Sequence, residues 1–114
     1  MRFGTSTTYL RHKPVTAALE TIARIGYAGA EVWMSHYWSA AESTAAIRRQ
    51  ATDLGLVLSV HAPGDEANVC SPDGDLRTRS IRRMEESVEV AASLAAGFVT
   101  IHPPCSPSGR ITDA

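Results

Sequence analysis

Three polar side chains of this sequence stand where chemistry is often done. Glu31, His61 and His102 follow Gly26, Gly55 and Gly97 by five, six and five residues. Each lies at or near the carboxyl end of an apolar segment, and each glycine closes an amphipathic one. Imidazole is a common neutral nitrogen ligand for transition metals and a proton carrier near neutral pH. Adjacent parallel strands lie about 5 Å apart at the backbone. Two histidines on neighbouring strand ends can therefore converge on one ion or on a bridged pair. Pro63 and Pro103 stiffen the turns behind them. Either histidine alone reads as an ordinary strand-end residue bonded to backbone, and the matched pair favours function. Two histidines are still a partial shell, because a catalytic zinc takes about three protein ligands and a water. Glu31 interrupts an apolar strand, and a buried carboxylate is costly unless paired or coordinated. It can bind a sugar hydroxyl, accept a proton or assist a metal; a structural ion pair is the competing reading.

Other residues carry weaker signals. Trp33, Tyr37 and Trp38 cluster after the second strand, where aromatics stack on sugars or bases but more often cap a core. Cys70 and Cys105 allow a two-His two-Cys zinc site with His61 and His102, without the C-x-x-C pairs that mark strong zinc motifs. Arg77, Arg79, Arg82 and Arg83 form a basic segment opening the third helix. Arg79 and Arg83 share a face and could meet a phosphate; pairing with Glu85, Glu86 or Glu89 is the plainer expectation. Glycine-rich phosphate motifs of the Rossmann or Walker kind are absent.

The elements that position these residues follow from periodicity. Arg2–Ser6 predicts a first strand. Pro14 suits a first helical turn, and Val15, Ala18, Leu19, Ile22 and Ile25 recur at helical spacing up to Gly26. A second strand is predicted over Ala28–Trp33, then a loop with Ser35, His36, Tyr37 and Trp38. A second helix runs from Ala41 to Leu54 with Ala45, Ile47, Ala51 and Leu54 apolar, and a third strand is Leu56–Val60. A polar loop from Gly64 to Asp75 precedes a third helix, Leu76–Ala95, with Ile81, Met84, Val88, Ala91, Ala92 and Ala95 as its buried stripe. The last strand is Phe98–Ile101. The order β-α-β-α-β-α-β implies an α/β fold with a parallel sheet and helical crossovers. The strands show little alternation, as expected where both faces are buried.

Composition narrows the function. At 114 residues the chain holds one domain. Eleven basic against twelve acidic residues give a formal net charge of -1, which disfavours a dedicated nucleic-acid binder. No apolar run reaches the roughly 18 residues of a membrane span, and the first residues lack a signal-peptide layout. Two cysteines make no secreted disulfide framework, so a cytoplasmic protein with reduced thiols is expected. Thr112 or Asp113 resembles the N-cap of a further helix, which suggests the front half of a longer unit.

In order and spacing, three stretches resemble the xylose isomerase-like TIM barrels: Ile25–Trp33, Leu58–Pro63, and the run from Asn68 through Ile81 to Pro103. That superfamily includes sugar and sugar-phosphate isomerases and epimerases and the endonuclease IV type of abasic-site endonuclease. The resemblance implies that residues 1–114 are the N-terminal half of a (β/α)8 barrel. It implies a site at the carboxyl ends of the strands and a divalent metal (Mn, Mg or Zn) completed by ligands not in this chain. In the isomerase branch, Glu31 and His61 match positions that hold hydroxyls or move protons, and Trp33 and His102 would line the pocket for a small sugar or sugar phosphate. In the endonuclease branch, His61 and His102 match zinc ligands. Half a barrel is expected to be inactive alone and to expose edges that favour a homodimer. A non-catalytic α/β binding module is the alternative from outside enzymology.

Overall fold

The structure, a computed structural model, describes residues 1–64 and 67–103. The strands are β1 (Gly4–Ser6), β2 (Gly29–Trp33), β3 (Val57–His61) and β4 (Val99–Thr100). The helices are α1 (Val15–Ile25), α2 (Met34–Ala40), α3 (Thr44–Asp53) and α4 (Gly74–Ser93), with a 3-10 turn over Thr7–Leu10. The sheet is wholly parallel and its strands lie in chain order, β1-β2-β3-β4. A parallel sheet that never doubles back is the arrangement of a barrel wall, not of a doubly wound sheet. The α/β expectation of half a (β/α)8 barrel is met.

One face of the sheet carries the core. Ala30, Val32, Leu58 and Val60 pack with Val15, Leu19 and Ile22 of α1, Ile47 and Ala51 of α3, and Val90, Ala91 and Leu94 of α4 or just beyond it. Alternation along β2 is strict: Ala30 and Val32 are buried, whereas Gly29, Glu31 and Trp33 are half-buried. The expectation of strands buried on both faces is therefore corrected for β2, while in β3 Leu58, Ser59 and Val60 are all buried. The chain's helices cover a single side, and the other side presents Glu31 and its neighbours.

Local chemistry explains most helix ends. Gly26 takes the left-handed conformation at the end of α1 (φ 103°), as its position predicts. Gly97 does not play this part for α4; Ala95 does (φ 55°), and Gly97 instead donates its N–H to the Leu58 carbonyl at 2.9 Å. The N-terminus of α1 has no cap from Pro14. Glu42, between α2 and α3, supplies it: its carboxylate accepts from the N–H groups of Val15 and Thr16 and from the Thr16 hydroxyl. A carboxylate there meets both the free donors and the positive end of the helix dipole. Asp73 caps α4, accepting from Asp75 N at 2.9 Å and Leu76 N at 3.0 Å.

Two predicted features shift. The segment read as a loop around Ser35–Trp38 is the short helix α2. The predicted stripe of the third helix is also rotated. Ile81 and Val88 are 44% and 52% exposed, and Ala92 and Ala95 are exposed too, while Ser80, Ser87, Val90 and Ala91 are buried. The two serines can enter the core because each hydroxyl donates at 2.7 Å to the carbonyl four residues back, Leu76 for Ser80 and Arg83 for Ser87.

Two outcomes follow. Ala95→Gly relieves a left-handed alanine at an exposed position and should stabilise the chain by about 1 kcal/mol, read as a rise of several degrees in the thermal midpoint; an unchanged or lower midpoint refutes the assignment. For Asp73, the hydrogen bonds from Leu76 and then Asp75 hold its carboxyl below the usual Asp value, with slight burial opposing and Arg79 and Arg77 assisting. A lowered native value gives stability that is present above the unfolded value and lost as pH falls through the native one. Asp73→Asn keeps an acceptor but cannot titrate, so its thermal midpoint should fall less steeply than wild type below about pH 4; parallel pH curves would remove the claim.

Candidate functional site at the strand ends

The uncovered face of the sheet positions the predicted residues. Parallel register places Glu31 beside Ser59, Trp33 beside His61, and His61 beside Thr100. Glu31 thus sits one level below the rim, where Trp33 and His61 end their strands. Below it β1 and β2 carry only glycine, with Val57 of β3 on the same level. Gly4 and Gly29 are register partners, and a Cβ on either would lie 3.1 Å from the Gly29 oxygen or 3.0 Å from the Val57 oxygen. Gly4, Ser6, Gly29, Glu31, Ser59 and Phe98 line a concavity of about 600 Å³, within the range of small-molecule sites.

The structure joins Glu31, His61 and His102 into one chain of contacts. Thr100 Oγ1 donates to Glu31 Oε2 at 3.0 Å. His61 Nδ1 lies 2.9 Å from Glu31 Oε1. His61 Nε2 lies 2.7 Å from His102 Nε2, with the two rings tilted by 39° and their centroids 4.8 Å apart. Strands β2, β3 and β4 and the segment after β4 each contribute one member.

The protonation pattern follows from what each group can do. An ionised carboxylate only accepts, so His61 Nδ1 carries the proton. The Nε2–Nε2 contact needs one proton between the two rings, carried by either His61 or His102. The side chains of His61 and Glu31 are 23% and 25% exposed, so the pair keeps access to solvent and to a small ligand. Two residues that sequence reasoning did not single out complete this geometry. Thr100 shares the His61 level and the uncovered face; its signal was a lone hydroxyl in an apolar strand. Gly64 leaves room for the His102 ring, since a Cβ there would lie 3.1 Å from Cδ2.

The other candidates go elsewhere. Trp33 shares the rim level of His61 and donates its backbone N–H to Thr7 Oγ1 at 3.1 Å. Tyr37 bonds Thr44 Oγ1 at 2.6 Å, and Trp38 donates to Glu86 Oε1 at 2.7 Å, so both brace helices. His36 is buried, with Nε2 at 2.7 Å from the Lys13 carbonyl, and ties α2 to the segment before α1. Cys70 is exposed and free, and Cys105 lies outside the described residues. As metal donors, the two imidazole nitrogens suit a divalent ion but supply only part of a shell. Among the described residues no group of three His, Cys, Asp or Glu side chains is placed to hold one. Among the described residues, no helix is long and apolar enough to cross a membrane.

The tautomer is directly measurable. Imidazole nitrogen shifts of the labelled chain should show His61 as the Nδ1–H form in wild type. That preference should be lost in Glu31→Ala. An Nε2–H form in wild type would break the chain as drawn.

Comparison with known proteins agrees with this architecture. The chain resembles a D-tagatose 3-epimerase-like protein with a TM-score of 0.78 and 24% identity, over 94% of this chain and 39% of that one. It resembles D-psicose 3-epimerase, solved in the presence of D-fructose, with a TM-score of 0.71 and 22% identity, over 96% and 43%. The 3-keto-D-glucoside 4-epimerase of E. coli gives 0.70 and 13%, over 87% and 36%. At these identities the likeness shows the fold, and the chain spans about two-fifths of the solved chains it matches. No curated protein matches the sequence. Residues 19–112 match the xylose isomerase-like TIM barrel family, and on that match, with a parallel sheet in barrel order behind it, the chain belongs to this family.

Proposed function

We propose that this chain is the front wall of an enzyme that isomerises or epimerises a small sugar or sugar phosphate. The observation that carries the reading is the continuous contact from Thr100 through Glu31 and His61 to His102 at the carboxyl ends of the strands. Isomerisation moves a proton between carbons next to a carbonyl on one face, whereas epimerisation removes it from one face and needs a second acid, from outside this chain, to deliver one to the other. His61 Nε2 takes that proton once a substrate displaces His102 from its lone pair. Glu31 stabilises the resulting imidazolium through Nδ1–H and holds the ring in the orientation that, in isomerisation, returns the proton. Thr100 keeps the carboxylate fixed by occupying its other oxygen. His102 donates to a substrate hydroxyl, and Trp33 offers an apolar face to the sugar. A divalent ion, Mn, Mg or Zn with ligands from outside this chain, supplies polarisation of the carbonyl oxygen when bound. The sugar epimerases among the structural neighbours support the substrate class. Turnover requires the remaining wall of the barrel, and the open edges of β1 and β4 suit further strands or a second copy of the chain.

The short Nε2–Nε2 approach favours a second reading, in which His61 and His102 are metal ligands as in the endonuclease branch. The two readings compete for one lone pair: His61 Nε2 cannot hold an ion and accept a proton together. The balanced charge of the chain disfavours a DNA-binding face.

Saturation-transfer NMR with D-fructose and D-fructose 6-phosphate, with and without Mn²⁺ or Zn²⁺, tests the proposal. Sugar binding should weaken about ten-fold or more in Glu31→Gln and in His61→Asn, the loss of one or two charged hydrogen bonds. Equal binding in both variants would overturn it. Zinc retained after dialysis, and lost in His61→Ala/His102→Ala, would favour the metallonuclease reading.

A further inference from the structure

A second polar concavity lies on the outer side of the wall, between α2 and the first half of α4. Arg79, Arg82, Arg83, Glu86, Ser35, Trp38 and Ser39 line it, and none of these belongs to the strand-end chain. The spacing of 79, 82, 83 and 86 puts all four on one helix face. Like charges at these separations repel and slightly weaken a helix, so a carboxylate partner is expected for each arginine. The structure supplies none at hydrogen-bond or salt-bridge distance, and Asp73 meets Arg79 through charge alone. Among the described residues the one ion pair is His61–Glu31, and Arg79 and Arg82 have no hydrogen-bond or ion-pair partner. Glu86, the carboxylate of the groove, is occupied by the Trp38 indole N–H at 2.7 Å. Arg83 is held over the same indole, its guanidinium carbon 4.6 Å from the ring centroid. One guanidinium is thus preorganised by stacking and two more project beside it.

We propose that this groove is an anion site for a small phosphomonoester, separate from the strand-end pocket. In the lining itself three guanidiniums stand against one carboxylate, a local excess of positive charge that suits a phosphate. Guanidinium forks match phosphate oxygens in geometry, and they are weakly hydrated, so the exchange from water is cheap. The Ser35 hydroxyl adds a donor at the α2 wall; the Ser39 hydroxyl already donates to the His36 carbonyl at 3.0 Å. Stacking of Arg83 on Trp38 lowers the ordering cost that an exposed arginine otherwise brings to binding.

The test is a titration of the labelled 114-residue chain with inorganic phosphate and with glucose 6-phosphate, sodium chloride matching the ionic strength. Saturable shifts are expected at the Trp38 indole N–H and at the side-chain Nε–H signals of Arg79, Arg82 and Arg83. Arg79→Gln/Arg82→Gln, both exposed, should weaken binding about ten-fold or more. Glu31→Gln should leave it intact, which separates this site from the proposed sugar pocket. The proposal is overturned by any of four results: no saturation, the same shifts with chloride alone, full binding in the double variant, or saturation only by an oligonucleotide. Loss of the response in Glu31→Gln with retention in the double variant would place the anion at the strand ends, and also overturns it.

Discussion

The site depends on one carboxylate held on the uncovered face of a parallel sheet. Glu31 ties β2 to β3 through His61 and to β4 through Thr100. Its register partners Ser6 and Ser59 are small, and the larger Val57 and Phe98 line the same concavity. An unpaired half-buried carboxylate is costly, and here each oxygen has a donor. The same pairing turns His61 Nδ1 toward Glu31 and leaves Nε2 against His102. The His61 ring is therefore oriented from one level below the rim, by a residue on another strand.

The glycines on that face have a structural cause. Gly4 and Gly29 stand at register partners where a Cβ would press on the next strand's carbonyl. Helices cover only the opposite face, where Ala30, Val32, Leu58 and Val60 anchor them. The division of labour is strict: one face holds the wall together, and the other is left for contents. Exposed Phe98 and Val57 on that concave side, and Ile81 and Val88 along α4, are apolar surface that the described chain does not cover.

What the sequence made legible was whatever a local period encodes. The stripe Val15, Ala18, Leu19 and Ile22 of α1 is fully buried, and Gly26 ends that helix in the left-handed conformation. The strand-to-strand recurrence of Glu31, His61 and His102 was visible because parallel strands repeat their ends at similar chain intervals. Long-range or compensated features were not visible. Glu42 caps α1 from 27 residues away, and nothing near Val15 announces it. The α4 stripe was misread because hydropathy ranks Ile81 and Val88 above Ser80 and Ser87. A serine that bonds its own helix carbonyl enters a tight contact at little cost, so size governed that packing. Trp38 was read as part of an aromatic cap and does pack against the core; what its type did not announce is the indole's further contacts with Glu86 and Arg83 of α4.

The Trp38–Glu86 contact belongs to the set that fixes α2. α2 follows directly from Trp33 at the rim, and its position is set by His36 on the Lys13 carbonyl, Tyr37 on Thr44 and Trp38 on Glu86. Three consecutive residues thus fasten one short helix to the segment before α1, to α3 and to α4. A helix of seven residues has little stability of its own, so these anchors and not helical propensity hold it in place. Trp33 precedes α2 directly, and its own backbone N–H is held by Thr7 Oγ1. The arginine groove is built on that same α2–α4 contact, through Trp38 and Glu86.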